Sequence, residues 1–360
     1  MNRTSLGRFV ALPTAGALVL GVAACGAANE GSAEESELAG TISGAGASSQ
    51  QAAQQAWTAG FQDQYPDVTV NYDPIGSGGG REQFVSGGSD FGGTDAYLDD
   101  DELAAAQDRC ADFIEVPLYI SPVAIVFNLD GVDELNLSPR TIAGIFNQDI
   151  TEWDDPAIAE DNPDAELPSL PISPVNRSDE SGTTENFLEY LTAAAGDAWP
   201  HEPSGDWPVG GGEAAQGTSG VVEAVRNGDG TIGYADASQA GDLSTVAVGV
   251  GDEFVNYSPE AASTVLDVSE RVEGRGENSF AYELARDTTE EGTYPIVLVS
   301  YGLACTEYDD DQVGELVREY FTFMASEEGQ QQAAENAGSA PISDELREQI
   351  TPAIEAIGAT

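Results

Sequence analysis

Residues 175–184 form the sequence Val175-Asn176-Arg177-Ser178-Asp179-Glu180-Ser181-Gly182-Thr183-Thr184 and join two different patterns. An apolar run typical of a strand ends at Val175, and Phe187, Leu188 and Leu191 then follow at the spacing of a buried helix face. The segment is therefore predicted to be a strand-to-helix turn with Ser181 and Thr183 at the helix N-terminus. Strands that alternate with helices in this way are typical of α/β lobes.

Three features of this turn favour an anionic ligand. A helix N-terminus offers free backbone N–H groups and the positive end of the helix dipole. Arg177 offers a planar fork of donors that suits a tetrahedral oxyanion. Asp179 would repel an anion unless the ligand carries a proton that the carboxylate can accept, as phosphate does near neutral pH and sulfate does not. The same residues are also typical of a capped helix beside a surface Arg–Asp pair, so the turn alone leaves both interpretations open.

The charge balance of the whole chain limits the classes of partner. The 360 residues include 64 acidic and 12 basic ones, every basic residue is an arginine, and the formal net charge is −52. Such a chain is not expected to bind nucleic acid. Because 41% of the residues are hydrophobic and the acids are spread along the whole length, we expect a folded protein of about two domains. Its acidic, hydrated surface resembles that of halophilic proteins; an acidic tether to a cationic partner is the alternative.

The N-terminus is predicted to be a targeting segment. Arg3 and Arg8 precede an apolar run at 9–24 that is too short for a membrane span, and Val22-Ala23-Ala24-Cys25-Gly26 follows the pattern of a bacterial lipobox. We expect a signal peptide at 1–24, lipid on Cys25 and an acidic tether at 25–39. An ordinary signal peptide with an incidental cysteine is the alternative. The mature protein should then lie outside the cytoplasm, anchored to the cell membrane at the cell surface.

The two remaining cysteines, Cys110 and Cys305, are distant in sequence. In an exported protein an isolated pair favours a disulfide over a metal site or a nucleophile. We therefore expect them to be bonded to each other.

Two other segments carry candidate ligands. Ser48 and Ser49 follow a strand and a glycine turn, at the start of a helix with Trp57 and Phe61 on one face, so they are a second anion-binding N-terminus or simple capping residues. The run Ile75-Gly76-Ser77-Gly78-Gly79-Gly80-Arg81 follows a strand at 68–72 and predicts a glycine loop that approaches a ligand closely. It matches neither a Walker A loop nor G-x-G-x-x-G.

The segment Asp90-Phe91-Gly92-Gly93-Thr94-Asp95 predicts a strand that ends at Asp95. Asp99-Asp100-Asp101-Glu102 then predicts a helix start, because acids in the first turn favour the helix dipole, with a calcium site as the alternative.

The apolar stretch 114–129 contains Pro117 and Pro122 and predicts two strands that cross between lobes. Ser138 should cap the helix that follows. A similar apolar strand near 294–301 would return the chain to the first lobe. Residues 311–357 should be mostly helical, with a break at 338–341.

Taken together, several short motifs resemble the phosphate-binding proteins of phosphate ABC transporters over about residues 40–341. The motifs are Gly44-Ala45-Gly46-Ala47-Ser48, Gly76-Ser77-Gly78-Gly79, Phe91-Gly92-Gly93-Thr94-Asp95, Trp153-Asp154-Asp155-Pro156, Asn162-Pro163, Leu167-Pro168, Arg177-Ser178-Asp179-Glu180-Ser181-Gly182-Thr183 and Gly329-Gln330. The resemblance implies an α/β type II periplasmic-binding-protein fold, with two lobes joined by a hinge and the ligand in the cleft. The expected boundaries are 40–119 with 296–360 for lobe I and 120–295 for lobe II.

The resemblance also implies a ligand set and roles within it. By position the phosphate ligands are Ser48, the Ser49 backbone, Ser77, Asp95, Arg177, Ser181, the Gly182 backbone and Thr183. Asp95 then becomes the carboxylate that accepts the phosphate proton, and Asp179 becomes the residue that orients Arg177. Glu180 adds a charge where many relatives have Gly or Ser, so its effect on affinity is left open.

The expected function is capture of inorganic phosphate for an ABC transporter, by a monomer that meets its permease subunits and needs no cofactor or metal. One rival is a phosphatase-like enzyme with Ser181 as nucleophile, but His201, the single histidine, lies in a proline-bounded stretch. Other rivals are a carrier of sulfate or molybdate and an acidic adhesin without a ligand.

Overall fold

Strands and helices alternate along residues 38–358, the part of the chain that the computed structural model describes. The strands are β1 Gly40–Gly46, β2 Val68–Asp73, β3 Phe91–Thr94, β4 Phe113–Asn128, β5 Leu135–Leu137, β6 Ser173–Arg177, β7 Glu213–Ala215, β8 Thr231–Asp236, β9 Ser244–Val250, β10 Glu253–Val255, β11 Glu270–Arg271, β12 Tyr282–Glu283 and β13 Val297–Cys305. The α-helices are α1 Gln51–Gln64, α2 Ser77–Ser86, α3 Asp100–Cys110, α4 Pro139–Phe146, α5 Pro156–Asp161, α6 Gly182–Tyr190, α7 Gly217–Asn227, α8 Pro259–Asp267, α9 Asp311–Ala325, α10 Glu327–Ala337 and α11 Asp344–Glu355. The predicted signal peptide, Cys25 and nearly all of the tether lie outside the described residues.

The strands form one hydrogen-bonded path in the order β2-β1-β3-β13-β4-β8-β6-β7, and β9 joins β5 and β10 to β4. We call the part around β2, β1, β3, β13 and the start of β4 the first lobe, and the part around the end of β4, β8, β6, β7 and β9 the second lobe. Strands β2, β1 and β3 are parallel, whereas β13 runs antiparallel to both β3 and β4. Helices pack against both parts, so the predicted two-lobed α/β fold is confirmed.

Strand β4 is continuous over 16 residues, so the prediction of two strands in this stretch was wrong. It pairs with β13 as far as Pro122 and with β8 from Val123 onward. Proline lacks an N–H donor and is tolerated only where a sheet ladder is interrupted. Pro122 lies at the change of partner, and Pro117 lies beside a register shift between Ser300 and Tyr301 of β13. One strand therefore crosses between the lobes without a loop.

The glycine run 76–80 also differs from the prediction, because Ser77 begins α2 and Gly78 to Gly80 lie in its first turns. A Cβ atom on Gly80 would lie 2.3 Å from the Gly46 Cα atom, so glycine at both places brings α2 directly against β1. The residues that suggested a loop serve a close helix–strand contact instead.

Other predicted elements are confirmed. Trp57 and Phe61 of α1 are fully buried, Ser138 caps α4, and α9 to α11 form the helical end of the chain with a break after Gly338. Asp99 caps α3 and exchanges hydrogen bonds with Glu102, which accounts for that acidic run without a calcium ion.

A disulfide joins Cys110 at the end of α3 to Cys305 at the end of β13, with the two Cα atoms 5.1 Å apart. Both cysteines lie in the first lobe, but the loop that they close, with a sequence separation of 195 residues, contains the second lobe, and the bond should stabilise the protein by a few kcal/mol. Among residues 38–358, no helix has the length and apolar composition needed to cross a membrane.

Residues 270–283 fall inside the expected lobe II but contact β4 in the first lobe. The Glu115 N–H donates to Asn278 O at 3.0 Å, and the Phe280 N–H donates to Glu115 O at 2.7 Å. The buried Glu115 carboxylate accepts hydrogen bonds from Arg275 and from the Ser279 hydroxyl. This segment therefore forms a strap between the lobes.

Candidate functional site

The predicted site residues meet in the cleft, where four helices begin. Ser48 and Ser49 precede α1, Ser77 begins α2, and Ser181 caps α6 through the Thr184 N–H at 3.2 Å. The Thr218 N–H in the first turn of α7 donates to Ser48 Oγ at 3.1 Å. Helix N-termini offer backbone donors and positive potential, so this arrangement favours an anion.

Asp95 follows β3 and is 3% exposed, and both of its carboxylate oxygens accept hydrogen bonds. Oδ1 accepts from the hydroxyls of Ser49 and Ser300, each at 2.6 Å, and Oδ2 accepts from Thr183 Oγ1 at 3.0 Å. Burial raises the pKa of Asp95, although these three hydroxyls and the charge of Arg177 oppose the rise. The carboxylate is therefore a desolvated acceptor held in place by donors from both lobes.

Arg177, at the end of β6, is held by Asp179. Its Nε donates to Asp179 Oδ1 at 2.8 Å and its Nη2 donates to Oδ2, while the Gly217 N–H donates to Oδ1 at 3.0 Å. Burial opposes the ionisation of Asp179, but Arg177 and the Gly217 N–H outweigh it and lower the pKa of this carboxyl. Asp179 is thus engaged with Arg177, which fits the orienting role that the resemblance gave it.

Gly182 of the second lobe lies in close contact with the first lobe. A Cβ atom there would lie 2.7 Å from both Ser77 Oγ and Asp95 Cβ. Ser77 Oγ accepts the Asp95 N–H at 3.1 Å, and an accepting hydroxyl still has its own hydrogen to donate. The structure therefore brings all eight predicted ligands and Asp179 into one cluster.

Three residues of the cluster were missed from the sequence: Ser300, Thr218 and Asn186. Ser300 is the only hydroxyl-bearing side chain of β13 apart from Tyr301, and a serine in an apolar strand signals a polar partner without showing which residue that partner is. Asn186 donates to the carbonyls of Asp95 at 2.7 Å and Gly182 at 2.8 Å, and it accepts from Arg286. Its position one turn into α6 gave no signal, because only the fold places it opposite Asp95.

The donor set suits a tetrahedral oxyanion that carries a proton: one guanidinium, several hydroxyls, helix N-termini and one acceptor. Within residues 38–358, no group of three or more histidine, cysteine or acidic side chains is placed to hold a metal ion. The His201 ring bonds to Asn147 at 2.9 Å, and Ser181 Oγ serves as the cap of α6. These contacts therefore do not join Ser181 and His201 into a Ser–His catalytic pair.

Known proteins resemble this chain over most of its length. Residues 31–328 match a family model described as a PBP superfamily domain. The chain is 35% identical to phosphate-binding protein PstS 3 of Mycobacterium tuberculosis over 99% of this chain and 100% of that one. It is 32% identical to phosphate-binding protein PstS of Xylella fastidiosa, over 82% and 79% of the two chains.

Solved structures show the same fold. One is a high affinity periplasmic phosphate-binding protein (PfluDING) bound with phosphate, with a TM-score of 0.70, 23% identity, and 87% of this chain and 93% of that one covered. Another is a phosphate binding protein from Stenotrophomonas maltophilia, with a TM-score of 0.66, 20% identity, and coverage of 87% and 94%.

Proposed function

The chain belongs to the PstS-type phosphate-binding proteins of the PBP superfamily, and we propose that its cleft captures inorganic phosphate and delivers it to the permease subunits of an ABC transporter. Proteins of this family bind and transport; they are not enzymes. The observation that carries the proposal is Asp95, a buried carboxylate with three hydroxyl donors beside the buried Arg177. A protein with a net charge of −52 cannot attract an anion through its overall field, so capture depends on such local donors.

The proposed ligands supply donors to the phosphate oxygens and one acceptor for its proton. They are Ser48, the Ser49 N–H, Ser77, Asp95, Arg177, Ser181, the Gly182 N–H and Thr183. Asp179 holds the guanidinium, and the proposal includes no metal and no cofactor. Sulfate would place an unprotonated oxygen against Asp95, and a desolvated mismatch of this kind costs about 3 kcal/mol.

Isothermal titration of the purified protein, freed of bound anion and kept in molar salt, tests this proposal with phosphate and then sulfate. One-to-one phosphate binding without sulfate heat is the expected result. Binding of both anions would make the protein a general oxyanion carrier. The absence of binding heat with either anion, in a folded sample, would contradict phosphate capture.

We place the lobes at 40–119 with 296–360 and at 120–295, with the hinge where the chain crosses. Two observations support this placement. Strand β4 exchanges β13 for β8 between Pro122 and Val123, and the Val123 N–H donates to Ile296 O at 2.7 Å beside the return crossing.

The anchoring proposal rests on the sequence of residues 1–39. PstS-type proteins act outside the cytoplasm, and a signal peptide at 1–24 with lipid on Cys25 would tether a monomer to the membrane. Cell fractionation tests this: the natural chain should stay with the membrane, and a Cys25→Ala variant should not. A chromogenic phosphate ester should give no turnover with either protein.

The acidic surface is proposed to be an adaptation to high salt. Since 64 acids face 12 arginines, charge repulsion should destabilise the fold in dilute buffer and be screened by salt. Thermal melts from dilute buffer to molar potassium chloride should therefore show a rise in Tm of about 10 °C or more. A flat response would contradict the adaptation.

A further inference from the structure

The guanidinium of Arg81 binds partners in both lobes. Arg81 lies on α2, and its side chain is 7% exposed. Its Nε donates to Glu102 at 2.7 Å and its Nη1 donates to Thr94 at 3.1 Å, both in the first lobe. Its Nη2 donates to Glu180 Oε1 at 2.8 Å, in the turn between β6 and α6 of the second lobe. Two first-lobe partners thus fix a cation that offers a third donor to the opposite lobe.

Glu180 makes a second contact across the cleft through its backbone. Its carbonyl accepts the Gly78 N–H at 3.3 Å, and its carboxyl carbon would lie 2.3 Å from a Cβ atom on Gly78. Its neighbours in sequence, Asp179 and Ser181, belong to the phosphate cluster. The position of Glu180 is therefore coupled to the turn that carries Arg177.

Acidic side chains outnumber cations around Arg81. Glu102 and Glu180 bind it directly, Glu185 of α6 lies near enough to act on it electrostatically, and Glu189, which acts on Glu185, is paired with Arg286. Burial raises the pKa of Glu185 to about 7, which Arg81 opposes and Glu189, Glu102 and Glu180 reinforce. An unpaired carboxylate at position 180 would add to this repulsion and would also repel phosphate.

We propose that Glu180 and Arg81 form an ion pair across the cleft that strengthens phosphate binding by favouring closure of the lobes, rather than by contact with the ligand. The inference rests on the proposed function. The pair exists only while the lobes touch, so it shifts the population toward the closed form, and the apparent affinity rises by the same factor. Because the Glu180 side chain is 50% exposed, solvent screens the pair and its effect is about two- to fivefold.

The main test compares Glu180→Gln with Glu82→Gln. Glu82 is an exposed residue on the same helix as Arg81, so its replacement makes the same charge change without touching the pair. We expect Glu180→Gln to raise the phosphate Kd by about two- to fivefold, mainly through faster dissociation in stopped-flow measurements, with Glu82→Gln unchanged. The difference should shrink as salt is raised.

A shorter acidic side chain at position 180 distinguishes an effect on lobe closure from simple charge repulsion of phosphate. Glu180→Asp keeps the charge but lacks the reach to Arg81, so it should weaken binding as Glu180→Gln does. If Glu180 acted only by repelling phosphate, Glu180→Gln would bind more tightly and Glu180→Asp would resemble the natural protein. Either result would overturn the proposal.

Small-angle X-ray scattering without phosphate gives a readout that does not depend on ligand. Glu180→Gln should have a larger radius of gyration than the natural protein and Glu82→Gln, with thermal melts confirming that all are folded. Equal radii would overturn the ion-pair proposal even if phosphate binds. Failure of the natural protein to bind phosphate would contradict the proposed function. The scattering comparison of the natural protein with Glu180→Gln would still test the Arg81–Glu180 ion pair.

Discussion

Two buried aspartates, Asp95 in the cleft and Asp236 at the end of β8, have different surroundings. Both Asp95 oxygens accept hydroxyl hydrogen bonds and Arg177 lies nearby. Asp236 Oδ1 accepts from Tyr119 and Ser238, but Oδ2 has no hydrogen-bond partner among the described residues. Burial raises the pKa of Asp236 to about 7, against the bonds from Ser238 and with help from the charge of Asp95. The placement of the donors thus separates the two groups: both oxygens of Asp95 accept hydrogen bonds, whereas one oxygen of Asp236 has no donor among the described residues and that carboxyl favours its proton.

Asp95→Asn should give the largest effect, on selectivity. The amide removes the negative charge and replaces one of the two acceptor oxygens by an N–H donor that can serve sulfate, so the preference for phosphate should fall by about 100-fold, or about 3 kcal/mol. Competition calorimetry with both anions measures the ratio. Asp236→Asn is the matched control and should leave the ratio unchanged; unchanged selectivity in Asp95→Asn would show that another group reads the proton.

Asp236→Asn should instead alter stability, in a way that depends on pH. The folded protein holds this proton up to about pH 7, whereas an unfolded aspartate loses it near pH 3.9. The native state therefore loses stability as pH rises from about 4 to 7, and the amide removes that loss. Urea unfolding should show the variant more stable by about 2 kcal/mol at pH 8 and equal to the natural protein at pH 4. A gain of the same size at both values would contradict the raised pKa.

Ser300→Ala should have the smallest effect, because it removes one of three hydroxyl donors to Asp95. Loss of that hydrogen bond destabilises the charged form of Asp95 by about 1 kcal/mol, so phosphate affinity should fall about fivefold. The matched variant is Ser238→Ala, which removes a hydroxyl from Asp236. Titration calorimetry should show weaker binding for Ser300→Ala alone, and equal binding in both would remove Ser300 from the site.

The local structure of the proposed site could be predicted from the sequence where a turn leads into a helix. Ser181 as the cap of α6 and Asp95 at the end of β3 follow from local pattern, because caps and strand ends are local features. The role of Asp179 needed the resemblance, since the residues alone made it the proton acceptor. Ser300 could not be assigned because it is about 200 residues from Asp95 in sequence, and only the pairing of β13 with β3 brings them together.

The errors have a common physical cause. Pro117 and Pro122 predicted breaks in β4, and Gly78 to Gly80 predicted a loop, because both residue types normally interrupt regular structure. In each case a tertiary contact overrides that preference: a change of strand partner at Pro122, and the approach of α2 to β1 at Gly80. The effect of Glu180 could not be predicted for the same reason, because only the contact between the lobes brings Glu180 to its partner Arg81.

The position of β13 has a consequence for the order of folding. This strand, residues 297–305, lies between β3 and β4 in the middle of the first lobe. The sheet of that lobe cannot close until about five-sixths of the chain has been made, because its central strand comes from there. A chain that acts outside the cytoplasm has to cross a membrane, and this topology delays formation of a complete lobe until most of the chain is available. The late strand thus favours an export-ready, incompletely folded precursor over early folding at the ribosome.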